Sequence, residues 1–198
     1  MRRILVLSLV MSGCIPDLYT GKVEEPWSCP DNEWVTNTPP DELKGEGFFE
    51  DQVLWDAKLT DQNGDEACIW QFFGQVVVVD ISTVWCGPCQ ELAEDVQETY
   101  EHYEEEGFSY LTILTEDINR DEPDVQDLQE WVNYFGIEQP VLMDPLANYA
   151  GGALDGGNYP AIIIVDREMR IAERITSCLL YTSPSPRDIS GSRMPSSA

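Results

Sequence analysis

The chain has 198 residues, 37 of them acidic and 11 basic, for a formal net charge of −26 at pH 7. A surface so acidic repels nucleic-acid phosphates and anionic lipid headgroups, so neither is an expected partner. The charge says nothing of fold, and it reads as a solvated face suited to a salty medium.

The first residues, MRRILVLSLVMSGC, set the expected compartment. Arg2 and Arg3 give a basic start, residues 4–11 an apolar stretch too short to cross a bilayer, and Ser12-Gly13 a small-residue cleavage site. Residues 1–13 are therefore read as a signal peptide. Small residues directly before Cys14 resemble the bacterial lipobox, although Met11 stands where leucine is commonest. That resemblance implies an exported protein of the bacterial envelope, on the periplasm side, joined to the membrane only through a lipid on Cys14.

Residues 14–47 are polar, contain prolines and show no hydrophobic period, as expected of a lipid tether and an irregular lead-in. Trp27 and Trp34 bracket Cys29, so part of this stretch is expected to pack on the domain C-terminal to it. Residues 48–177 read as that domain, a single unit of about 130 residues, which is a usual size.

Within it, VLWDAKLT is predicted as a strand, and Asn63-Gly64 in DQNGDE suits a hairpin turn. Four consecutive valines in VVVVDIS indicate a central strand buried on both faces. Residues 88–106 are predicted as one helix, with Leu92, Val96, Thr99 and Tyr103 on its inner stripe and Gly107 at its end. FSYLTILTE is a second buried strand. Pro123 opens a helix through Leu128, Trp131, Val132 and Phe135 that Gly136 closes. PVLMD is a short strand, and a Gly-rich loop leads to YPAIIIVD and MRIAERIT, a strand pair turning at Arg167-Glu168. Strands alternating with helices in this order indicate an α/β sandwich.

Residues 178–198, CLLYTSPSPRDISGSRMPSSA, change character abruptly. They resemble two translated sequencing adapters in one frame, Cys178 to Asp188 and Ser192 to Ala198, flanking a three-residue index. They are set aside from fold reasoning.

The cysteine pair in WCGPC carries the chemistry. A CxxC where a buried strand turns into a helix places Cys86 at the helix N-terminus, where free N–H groups and the dipole favour a thiolate. Cys89, one turn on, is placed to attack a mixed disulfide, and Pro88 suits the first helical turn. A zinc site would need a second CxxC or a histidine pair, and His102 is the only histidine. No metal and no cofactor is expected. Cys29 and Cys68 remain without CxxC partners in an oxidising compartment, so they are expected to form a structural disulfide.

VVVVDISTVWCGPCQ resembles the active-site strand and helix start of thioredoxins, and residues 48–176 resemble the exported, membrane-tethered TlpA-like thiol–disulfide oxidoreductases. KLTDQNGDEACIWQFFGQ resembles that family's strand pair before the core, and DVQDLQEWVNYFGI with PVLMD its central insertion. The resemblance implies a thioredoxin fold, a three-layer sandwich around a mixed sheet. That fold ends in a helix where the adapter-like tail begins here, so the helix is expected to be missing. It also implies that Cys86 attacks a substrate disulfide, that Cys89 resolves it, and that Pro160 is cis against the pair. Trp85, Gly87, Pro88 and Tyr159 join Pro160 as the substrate-contacting set, although Trp85 also reads as an ordinary core aromatic. Asp80 stands six residues before Cys86, where thioredoxins carry a buried acid. Desolvation in a valine-rich strand raises its pKa and suits it to take the proton of Cys89. The implied partners are a disulfide-bearing protein and a thiol electron donor, met by a monomer.

Two other readings stay open from the residues. A peroxiredoxin-type peroxidase shares the fold, and Thr83 fits its pattern, but Val79 replaces the proline. A non-enzymatic copper-handling lipoprotein would use the CxxC with a distal histidine, which the Gly-rich loop lacks.

Overall fold

Seven strands form one sheet in the order β2-β1-β5-β4-β3-β6-β7. The computed structural model describes residues 26–154 and 158–176. The expected signal peptide, the expected lipidation site Cys14 and the adapter-like tail lie outside the described residues.

β1 (Lys58–Asp61) and β2 (Glu66–Cys68) form the hairpin read from Asn63-Gly64. Gly64 adopts φ 86°, a conformation that costs glycine nothing. The Asp61 carboxylate ties the turn by accepting from the Asn63 and Asp65 amides. The predicted strand is shorter than expected at its start. Val53 and Leu54 are core residues joined to Arg170 and Gly47 by isolated bridges, and Asp56 breaks the pairing by accepting from the Trp70 and Ala57 amides.

β3 (Val76–Ser82) is central, parallel to β4 (Phe108–Leu114) and antiparallel to β6 (Ala161–Val165). β5 (Val141–Met143) pairs in parallel with β4, and β7 (Ile171–Thr176) closes the other edge against β6. Period-two alternation splits the β3 side chains between two faces. Val77, Val79 and Ile81 are fully buried in the larger core, with Leu54, Trp70, Phe72, Ile163 and Met169. On the other face Asp80 and Ser82 are buried, while Val76 and Val78 are only half-covered. Burial on both faces is thus complete only at the C-terminal end of β3.

The helix expected over residues 88–106 is two helices, α1 (Gly87–Ala93) and α2 (Val96–Tyr103), followed by a 3₁₀ turn over Glu104–Glu106. The break falls at Glu94 and Asp95, where the Asp95 amide bonds the Leu92 carbonyl in a tightened turn. Acids at 91, 94, 95 and 98 crowd like charges at i,i+3 and i,i+4 spacing, which disfavours a continuous helix there. The inner stripe is consequently Cys89, Ala93 and Val96; Leu92 and Thr99 are half-buried and Tyr103 is exposed. α3 (Val125–Phe135) starts two residues later than Pro123, because Asp124 is its N-cap and accepts from the Gln126 and Asp127 amides. Gly136 ends it in the left-handed conformation.

Three layers result. The helices and the smaller core, which includes Cys86, Cys89, Leu114, Leu128 and Trp131, lie on the Asp80 face. The opposite face is covered by the lead-in and by short 3₁₀ turns at Ile69–Phe72, Pro145–Ala147 and Ala150–Gly152. The lead-in has no regular structure from Pro26 to Leu43, yet it is firmly attached. Cys29 is disulfide-bonded to Cys68, and the indole N–H groups of Trp27 and Trp34 donate to Asp56 and Asp61, both at 2.7 Å.

Candidate redox site

β3 delivers the site. From Asp80 and Ser82 at its end, the chain runs on through Thr83 and Val84 to Trp85 and Cys86, where it turns into α1. Cys86 is the N-cap of that helix, and its sulfur accepts from the Cys89 amide at 3.3 Å. Pro88 occupies the first turn, where no intrahelical N–H is lost. The two cysteines are joined as a disulfide with Cα atoms 5.2 Å apart. Cys89 is completely buried, and Cys86 is 4% exposed beside the exposed Gly87 and Pro88. Approach to the bond is therefore from the Cys86 side. A thiolate formed at Cys86 gains the amide contact and the N-terminal partial charge of the helix.

Asp80 shares the sheet face of the cysteine cluster, with side chains at 78, 80 and 82 alternating away from the larger core. Ser82 donates to its Oδ1 at 2.7 Å, and among the described residues Oδ2 has no hydrogen-bond partner. Burial drives its pKa up to about 7 against the smaller opposing effect of the Ser82 hydrogen bond. Burial also raises the neighbouring Tyr110 phenol, and the charges of Asp80 and Asp95 push it the same way.

The loop after β4 completes the site. Val84 N–H donates to the Glu116 carbonyl and Thr115 N–H to the Ser82 carbonyl, prolonging the β3–β4 contact past the last strand residue. This carries the Glu116 carboxylate to the Trp85 indole N–H, which donates to it at 2.7 Å. Tyr159 packs edge-on against Trp85 with ring centroids 6.0 Å apart, and its hydroxyl shares a 2.8 Å hydrogen bond with Thr115. The Tyr159-Pro160 peptide is cis, and Pro160 is buried. The Arg120 guanidinium lies 3.9 Å over the Trp85 ring.

Of the residues singled out from sequence, Cys86, Cys89, Trp85, Gly87, Pro88, Tyr159 and Pro160 gather at this end of the sheet, with Asp80 beneath. Cys29 and Cys68 stand apart, because β2 is four strands from β3. Thr115, Glu116 and Arg120 were not foreseen. They lie about thirty residues from Trp85 in a polar run after a strand, and no local pattern ties them to it.

Comparison with known proteins agrees with this geometry. The sequence profile of the AhpC/TSA family matches residues 51–174. The thiol–disulfide oxidoreductase ResA of Bacillus anthracis is 26% identical over 137 residues, covering 66% of this chain and 75% of that protein. A thiol:disulfide interchange protein from Bacteroides sp. superposes with a TM-score of 0.56 at 18% identity, covering 64% of this chain and 81% of that one. The thioredoxin domain of a Bacteroides vulgatus thiol–disulfide oxidoreductase gives 0.54 at 19% identity, over 68% and 94%. The likeness to these structures shows a thioredoxin fold.

Proposed function

The chain belongs to the AhpC/TSA family and is a thiol–disulfide oxidoreductase, and we propose that it works as a reductase of protein disulfides in a bacterial envelope, tethered through Cys14. The observation that carries the chemistry is the Cys86–Cys89 disulfide at the head of α1, bordered by the exposed Gly87 and Pro88. In the reduced protein the Cys86 thiolate attacks one sulfur of a substrate disulfide. A mixed disulfide forms and the other substrate sulfur leaves as a thiolate. The Cys89 thiol then loses its proton to Asp80 and attacks the Cys86 sulfur. The second substrate thiol is released, and the pair is left as the disulfide seen here. Asp80 passes the Cys89 proton to that departing sulfur, and the first thiolate takes from solvent the proton that Cys86 gave up on ionising, so two electrons and two protons reach the substrate; an external thiol donor then restores the dithiol.

Asp80 suits the proton step, because a carboxylate with a pKa of about 7 holds or releases a proton near neutrality. The buried cis-Pro160 and Tyr159 line the approach to Cys86, where we assign docking of the substrate backbone. A Gly-Pro dipeptide between the cysteines supports the reducing direction, since thioredoxin has a potential near roughly −270 mV. The basic and apolar residues 2–11 support export. Insulin reduction tests the mechanism: Cys86→Ser abolishes activity, whereas Cys89→Ser accumulates mixed disulfides that a thiol releases. Reductase activity persisting in Cys86→Ser rules it out.

A further inference from the structure

The described residues include four arginines, and three of them use their donors within the chain. Arg167 donates to the Glu106 carbonyl at 2.7 Å, Arg174 to the Ala153 carbonyl, and Arg170 to the Asp51 carbonyl and the Glu46 carboxylate. Arg120 differs. Its guanidinium face lies 3.9 Å over Trp85, and among the described residues it makes no side-chain hydrogen bond or ion pair. In a chain with 37 acidic residues an arginine without a carboxylate is unexpected on numbers alone. Glu116 and Asp117 sit close by in sequence but are committed elsewhere, Glu116 to the Trp85 indole and Asp117 to the amides of Asn119 and Asp121.

The backbone holds the arginine where it is at a cost. Arg120 has φ 69°, in the left-handed region that a non-glycine residue occupies only when its surroundings impose it. The imposition is visible. Asp117 N–H donates to the Asp121 carbonyl at 2.9 Å, Arg120 N–H to the Asp117 carbonyl at 3.2 Å, and the Asp117 carboxylate closes the loop from within. A strained loop thus presents a planar cation whose face is taken by the tryptophan preceding Cys86 and whose N–H edge is free. Beside it lies a hollow of about 240 Å³ lined by Thr115, Glu116, Arg120, Leu146 and neighbouring acids. Leu146 is 72% exposed there.

We propose that Arg120 is a specificity-determining residue, whose free N–H edge receives a carboxylate carried next to the reacting disulfide of a polypeptide substrate. Guanidinium suits this task, since it stacks through its face while offering paired donors at its edge. Asp121 and Glu122 line the same hollow and repel free anions. A carboxylate gains access only when the disulfide contact delivers it at high effective concentration. The inference rests on the oxidoreductase reading and adds substrate selection to it.

Two disulfide peptides test it, alike except for Asp or Asn on both sides of the reacting cysteine. The assay is run at about 0.15 M salt, where the Debye length of about 8 Å suppresses long-range repulsion. The quantity read is the Asp-to-Asn ratio of kcat/KM, compared between wild type, Arg120→Gln and Arg120→Glu so that shared effects cancel. The ratio is expected to fall about fivefold from wild type to Arg120→Gln, chiefly through KM, and further in Arg120→Glu. An identical ratio in all three proteins overturns the inference, even if both peptides slow together, because that pattern means Arg120 acts only through Trp85. If wild type reduces neither peptide nor insulin, the oxidoreductase reading fails and this inference falls with it.

Discussion

At Asp80 stability and the proposed proton transfer pull apart. Its carboxyl ionises at about 7 when folded and at 3.8 in the reference state, because burial penalises the charge. Below pH 3.8 the group is neutral in both states and costs nothing. Between there and about pH 7 the unfolded chain ionises first, so the folded state loses about 1.4 kcal/mol per pH unit. The full penalty, of order 4 kcal/mol before relaxation, is in place above about pH 7. Asp80→Asn is therefore expected to be more stable than wild type by about 2–4 kcal/mol at about pH 8 and nearly equal to it at about pH 4. Urea titrations at both values measure this, and equal differences at the two would contradict it. The same variant should resolve mixed disulfides more slowly. Asp80 was legible in the sequence because it stands six residues before Cys86, where the resemblance to thioredoxins implies a buried acid. Glu116 and Arg120 were not, because their meaning depends on the β4 loop folding back onto Trp85, a contact between segments distant in sequence.

At the level of elements, strands were easier to read than the helix ends. β3 and β6 are mostly Val and Ile, β4 mixes aromatic, Thr, Ile and Leu residues, and Gly107 and Gly136 mark real stops. The break between α1 and α2 is hidden from apolar spacing, which does not register the crowding of Glu91, Glu94, Asp95 and Glu98. The lead-in was expected to pack through Trp27, Trp34 and Cys29 and does so, but how much of a sheet face it covers was not legible, because these residues make single long-range contacts without periodicity. Closing a loop of sequence separation 39 stabilises by about 4 kcal/mol in the chain-entropy model. The double variant Cys29→Ser/Cys68→Ser is expected to lose about that much in chemical denaturation and to expose Trp27 and Trp34, read as a red shift of fluorescence. Because β2 lies four strands from β3, insulin reduction should persist at temperatures where the variant stays folded.

For the molecule as a whole, charge is the property with the widest reach. With a net −26, self-repulsion opposes the compact state, and most of it acts between exposed carboxylates that salt screens. Raising sodium chloride from about 0.1 M to about 1 M shortens the Debye length from about 10 to about 3 Å. The melting temperature is expected to rise by several degrees over that range. A flat or falling melting temperature in calorimetry would mean that the acidic surface is not a net burden. The composition alone makes this property plain, and the resemblance to thioredoxins implied the three-layer arrangement, whereas the order of the seven strands had to be seen.

The two disulfides ask opposite things of their surroundings. Cys29–Cys68 must be made once and left alone; Cys86–Cys89 must be opened after every turnover. Cys29 is half-buried, so access to sulfur does not tell the two bonds apart. Position does: Cys86 caps α1, where the Cys89 amide and the helix N-terminus favour its release as a thiolate, whereas Cys29 lies in the irregular lead-in. The head of the helix thereby acts as a circuit breaker. One molecule stands in an oxidising supply and a reducing one at once, and the fold, rather than the chemistry of sulfur, decides which bond each current flows through.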